Sequence, residues 1–123
     1  MAFSDVALAG QISIHRAQQT QATSALDGIG TGTMYVDQVL IDNSNNTDTQ
    51  VYVKMYDSSS TVTVGEASPV FIFPCAGGAT AEYSMSPGGK FTNGVQACCV
   101  QEAGVAGTTD PAKAVSVTVL YHT

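Results

Sequence analysis

The run 42–48 (Asp-Asn-Ser-Asn-Asn-Thr-Asp) sets oxygen-bearing side chains at alternate positions: Asp42, Ser44, Asn46 and Asp48. Calcium loops begin with that spacing, because a hard cation gathers its oxygens from one short turn. The run lacks the glycine that bends such a loop at its sixth position. Val53 stands where a bidentate Glu would close the shell. A solvated turn, whose Asn and Asp side chains bond their own backbone, is the better expectation. The sequon Asn45-Asn46-Thr47 has meaning only in a secreted chain.

Gly28-Ile29-Gly30-Thr31-Gly32 resembles a phosphate-binding glycine loop. Such a loop needs a strand before it and a helix after it, so that the helix N-terminus meets the phosphate. Here a strand pattern follows, so a hinge is expected instead. For catalysis the residues are sparse. His15 and His122 lie near opposite chain ends, no Ser or Cys sits in a nucleophile motif, and Glu66, Glu82 and Glu102 read as solubilising charges. No catalytic residue, cofactor or metal ligand is expected.

Cys75, Cys98 and Cys99 are the only thiols. An odd number is no disulfide framework, and three thiolates cannot complete a four-thiolate metal site. Adjacent residues of a strand point to opposite faces, so Cys98 and Cys99 cannot enter the same core. They read as small buried hydrophobes, with one pairing to Cys75 left open. Tyr52, Lys54 and Tyr56 share one side of a strand. That face suits a sugar- or base-stacking platform, though such tyrosines more often serve a contact with another protein or a second packed layer.

Four basic residues, scattered at Arg16, Lys54, Lys90 and Lys113, face ten acidic ones, for a net charge of −6. Binding a phosphate backbone or an anionic membrane needs clustered positive charge, so both partners are disfavoured. With 44% hydrophobic and 11% charged residues, the chain has material for a core and is unlike a disordered acidic tail. The first ten residues lack the basic start and apolar core of a signal peptide, so synthesis in a cytoplasm is expected.

From residue 34 onward the chain reads as short strands between turns: 34–41, 50–56, 70–73 ended by Pro74, 80–85, 95–101 and 114–121. In the last, Val115, Val117, Val119 and Tyr121 alternate with Ser116, Thr118 and Leu120, the period of a half-buried strand. With no long helix to cross between parallel strands, an all-β, antiparallel, jelly-roll-like β-sandwich is expected over 33–123. Residues 1–32 read as an extended N-terminal arm, with a short helix suited to 14–26 and glycines at its end. The apolar positions Phe3, Val6, Leu8, Ile12 and Ile14 are too sparse to build a core and suit docking on a neighbour.

Residues 50–121 resemble a family of small structural proteins of tailed-bacteriophage virions. The resemblance is carried by VYVKMYD (51–57), TVG and the stretch to PCAGG (63–78), PGGKFTNGV (87–95) and VSVTVLY (115–121). Met55 departs from the leucine of that pattern, as do Cys98 and Cys99 in its small-residue strand. The resemblance implies a β-sandwich of the virion, most simply a capsid decoration (cement) protein. Its partners would be copies of itself and the major capsid protein or another virion protein. A neck, tail or fibre component and a carbohydrate-binding adhesion module are the alternatives. The assembly contacts expected are Phe3, Val6, Leu8, Ile12, Ile14, Tyr52 and Tyr56.

Overall fold

The computed structural model describes residues 14–123. These form eight strands: β1 (His15–Gln19), β2 (Asp27–Thr31), β3 (Met34–Asp42), β4 (Val51–Asp57), β5 (Phe71–Cys75), β6 (Thr80–Phe91), β7 (Gly94–Val100) and β8 (Ser116–His122). They make two four-stranded antiparallel sheets, ordered β1-β8-β3-β6 and β2-β7-β4-β5. Strand 1 thus pairs with 8, 2 with 7, 3 with 6 and 4 with 5. The chain is one long hairpin rolled into a two-layer jelly roll. The antiparallel sandwich expected from the strand pattern is what the chain forms.

Period-two alternation places Met34, Val36, Val39 and Ile41 of β3 on the inner face of the first sheet, with Val117 and Val119 of β8. Val51, Val53 and Met55 of β4 meet them from the second sheet, with Val95, Ala97 and Cys99 of β7. Aromatic rings fill the core on the β5–β6 side. Phe71 lies 5.7 Å from Phe91, and Phe73 lies 5.0 Å from Tyr83. Pro74 sits within β5, which pairs with β4 alone, so its missing N–H costs the ladder nothing.

Three expectations are corrected. Residues 14–32 are not an arm outside the sandwich, because β1 and β2 supply one edge strand to each sheet. The segment 14–26 forms no helix. After β1 it crosses between the sheets, with Ala22 N–H donating to Val115 C=O at 2.9 Å and Cys99 N–H to Thr23 C=O at 2.8 Å. Tertiary hydrogen bonds override the weak helical pattern there.

Pro87-Gly88-Gly89 does not end a strand either; β6 runs through it. Asp37 bulges out of β3, and residues 85–88 of β6 stand opposite that bulge. Gly88, at φ +123°, lets the backbone pass where a Cβ would come 3.0 Å from Tyr35 Cβ.

The second sheet is covered on both sides. Every residue of β7 is buried. Its outer face carries Tyr56, Cys98 and Val100, roofed by Leu26, Val62, Val64 and Ala67. The roof is thus formed by the segment leading into β2 and by the loop between β4 and β5.

Candidate assembly surface

Tyr52, Lys54 and Tyr56 do share the outer side of β4, opposite Val100, Cys98 and Gln96 of β7. They are no exposed platform. Lys54 is 0% and Tyr56 2% exposed, while Tyr52 stays half-buried. The β4–β5 loop covers Tyr56, and among the described residues its hydroxyl has no hydrogen-bond partner. Burial, with Cys98 beside it, pushes that hydroxyl up to about 12. A stacking site needs both rings open to a ligand, so the sugar-platform expectation fails at Tyr56.

Lys54 instead fastens the loop after β7. Its ammonium donates to Gly104 C=O at 2.5 Å and Gly107 C=O at 3.4 Å. That loop is closed further by Thr109 N–H on Glu102 Oε1 at 2.9 Å. Asp110 Oδ1 accepts from Ser24 N–H at 2.8 Å, tying the loop to the crossing segment. Glu102 is therefore a structural acceptor as well as a surface charge. Lys54→Ala should destabilise the protein by about 3 kcal/mol, leaving a cavity and two carbonyls without their cation. Lys54→Met keeps the stem's volume and removes a buried charge, so about 1 kcal/mol is expected. Urea unfolding measures both, and trypsin-independent proteolysis within 102–109 should accelerate in Lys54→Ala.

The 42–48 run is more than a solvated turn. Asp42 Oδ1 accepts from Ser44 N–H at 3.0 Å and Ser44 Oγ–H at 2.6 Å, so its carboxylate serves the turn itself. Asn43 and Asn46 are buried. Among the described residues, no group of three or more His, Cys, Asp or Glu side chains is placed to hold a metal.

Cys75, Cys98 and Cys99 are free and buried. As the alternation requires, Cys99 enters the core between the sheets and Cys98 the outer cluster. Burial raises all three thiols, Cys99 to about 12, so they remain protonated and poorly nucleophilic at neutral pH.

A pairing invisible in the sequence joins His122 to Asp37, with Nδ1 and Oδ2 2.8 Å apart. The His122 ring stacks on Tyr35 at 4.9 Å. An imidazole oriented by a carboxylate is part of what activates a nucleophile. Among the described residues, no hydroxyl or thiol hydrogen-bonds this ring. What the contact does is fasten the end of β8 to the β3 bulge. His15, at the start of β1, stacks on Tyr121 at 5.2 Å.

Acid should loosen the loops. Partial burial works to raise the Asp57 carboxyl, but the N–H groups of Asn93, Thr92 and Gly94 outweigh it and hold the carboxyl below its ordinary 3.8. Asp42, Glu102 and Asp110 are also lowered, each chiefly by its hydrogen bonds, to Ser44, Thr109 and Ser24 respectively. A lowered folded-state value stabilises above the ordinary carboxylate range and is lost as pH falls through the folded value. Thermal melts should therefore be flat from pH 7 to about 5 and fall below about 4. Asp57→Asn should show a shallower fall than wild type.

The sandwich is partly open on the β1–β2 side. Among the described residues β1 pairs only with β8 and β2 only with β7, so each presents an unpaired outer edge. Between them lies a half-open cavity of about 180 Å³ with Val53, Ala97, Val117 and Val119 at its floor. Gln19 Nε2 donates to Asp27 Oδ2 at 3.1 Å across the two edge strands. The side is open because the sequence is small there: Ala17, Ala22 and Gly28 line it where the other side carries aromatic rings. Ile14, just before β1, is 57% exposed. Phe3, Val6, Leu8 and Ile12 lie outside the described residues. Of the assembly residues expected from sequence, then, Ile14 is placed beside an open edge, Tyr52 is half-buried and Tyr56 is internal.

No family model and no curated protein matches this chain. Among solved structures it is similar to a chain from the work "Bacillus endospore appendages form a novel family of disulfide-linked pili". That match has 14% identity and a TM-score of 0.43, and spans 99% of this chain and 98% of the other. A likeness of that degree leaves the role of this chain to be argued from its own residues.

Proposed function

We propose that this chain is a non-enzymatic structural subunit that works by assembling with copies of itself. The observation that carries this reading is the β1–β2 side, where, among the described residues, two strand edges without a partner flank a half-open cavity floored by valine and alanine. Unpaired edges are sites of strand addition, and stable monomers ordinarily blunt or cover them. The polar side chains that could serve chemistry are occupied otherwise: Lys54, Glu102 and Asp110 close a loop, and His122 and Asp37 join a strand end to a bulge.

The resemblance of residues 50–121 to small virion proteins extends the proposal to a decoration subunit on a bacteriophage capsid. A weakly charged, hydrogen-bonding exterior suits that role, since burying it against a shell desolvates few ions. Sedimentation velocity of the full chain should show a discrete oligomer, and the chain should pellet with capsid shells at a copy number near that of the shell protein. A handful of copies per particle would indicate a neck, tail or fibre part instead. A chain that stays monomeric and binds no shell would overturn the proposal.

A further inference from the structure

We propose that two copies of this chain join β1 to β1 across a twofold axis at Ala17, making one continuous eight-stranded sheet. The inference rests on the self-assembly reading and adds which strand edge pairs, with what, and in which register.

Among the described residues four strands have a free edge: β1 and β6 in the first sheet, β2 and β5 in the second. Proteins guard such edges with proline, bulges and charge, and glycine weakens a strand as a template. β5 holds Pro74 among its five residues. β6 carries Glu82 and Lys90, and Pro87, Gly88 and Gly89 interrupt it opposite the Asp37 bulge. β2 begins with Asp27 and bulges between Gly28 and Gly30. β1 has none of these devices except one charge, Arg16. It holds no proline or glycine and pairs with β8 in unbroken register from His15 to Gln19. β2 and β5 are no longer than β1, so the guards rather than length separate them. Pairing between copies therefore runs through β1.

A twofold axis perpendicular to the sheet keeps the outer faces of both copies on one side, and it sets β1 antiparallel to itself. The pleat then fixes the register. Arg16 and Gln18 lie on the outer side with Leu120 and Thr118, while His15, Ala17 and Gln19 stand opposite Tyr121, Val119 and Val117 on the core side. Facing residues share a side, so the axis passes through a residue rather than between two. Placed at Ala17, it pairs all five residues of β1 and sets Arg16 against Gln18 of the second copy. Placed at Arg16 or Gln18, it pairs only three, and at Arg16 it also opposes two guanidinium groups. Within one chain Arg16 Nη2 already donates to Gln18 Oε1 at 3.2 Å, so the same donor and acceptor are on hand across the axis.

The test adds single cysteines to the full chain, whose three native thiols are buried. Directly opposite residues of an antiparallel pair lie about 4.5–5.5 Å apart at Cα, within the span of a disulfide. Under mild oxidation Ala17→Cys should link into a covalent dimer about tenfold faster than Ser59→Cys on the exposed β4–β5 loop. Arg16→Cys and Gln18→Cys should each link slowly alone and quickly when mixed, because each faces the other across the axis. Non-reducing electrophoresis and peptide mass spectrometry read both results. Gln18→Arg, which opposes Arg16 twice per dimer, should weaken self-association by about fivefold, and Gln18→Glu should strengthen it by a similar factor. Linking at position 17 no faster than at position 59, in a chain that still sediments as an oligomer, overturns this inference and leaves self-assembly standing. No gain on mixing Arg16→Cys with Gln18→Cys, or association unchanged by Gln18→Arg, does the same. A full chain that sediments only as a monomer removes the self-assembly reading itself.

Discussion

A chain lacking residues 1–28 should fail to fold cooperatively at 25 °C, showing weak far-ultraviolet β signal and a broad melt. The deletion removes all of β1 and the first two residues of β2. β1 is hydrogen-bonded to β8 from His15↔Tyr121 to Gln19↔Val117, so the first sheet would lose its outer strand. Ala22 leaves the core with it, and so do the bonds from Ala22 to Val115 and from Cys99 to Thr23. Val117 and Val119, each buried against this side, would meet water at about 1.5 kcal/mol apiece. Lost ladder bonds add about 1 kcal/mol each. The total is comparable with the roughly 5–15 kcal/mol that holds a whole domain together. A truncated protein with a sharp melt near the wild-type temperature would mean that β1 is dispensable and that the sandwich closes without it.

Asn43→Ala should lower stability by about 4 kcal/mol, or roughly 10–20 °C in melting temperature for a chain of this length. Asn43 is completely buried, and its side chain is the hub of three loops. The amide donates to Thr49 C=O at 2.8 Å, Ala76 C=O at 3.1 Å and Cys75 C=O at 3.3 Å. Its carbonyl accepts from Asn46 Nδ2 at 2.9 Å. Asn46 in turn exchanges two bonds with the Lys113 backbone, at 3.0 and 2.8 Å, which ties the loop before β8 to the same point. Truncating Asn43 therefore orphans several buried groups at once, and an unsatisfied buried group costs more than its bond contributed. Asn43→Asp should be no milder, because its second oxygen faces carbonyls and carries charge into a buried site. Differential scanning calorimetry separates the outcomes; a shift of only a degree or two would show that water substitutes for the amide.

Much of the fold was legible in residue order. Val115 to Tyr121 and Met34 to Ile41 alternate because each strand has one face in the core and one nearer solvent. Cys98 and Cys99 part to two separate clusters for the same reason. The edge strands were not legible. His-Arg-Ala-Gln-Gln and Asp-Gly-Ile-Gly-Thr have little intrinsic strand preference and become strands by pairing with β8 and β7. The expected boundary at residue 32 therefore fell inside the sandwich.

For the candidate site, the open side was only half visible. Apolar residues near the start of the chain suggested docking, but the cavity exists because Ala17, Ala22 and Gly28, far from Val53 and Val119 in sequence, meet there. By itself the sequence determined which side of each strong strand is apolar, since alternation is a local property of the backbone pleat. Only the tertiary structure decided what covers the other side. Loops distant in the chain bury Tyr56 and Lys54 on the outer face of β4, and a bulge brings Asp37 to His122 across 85 residues. The physical reason is that strand pattern records how many faces are apolar, whereas loop cover and side-chain pairing depend on where distant segments arrive.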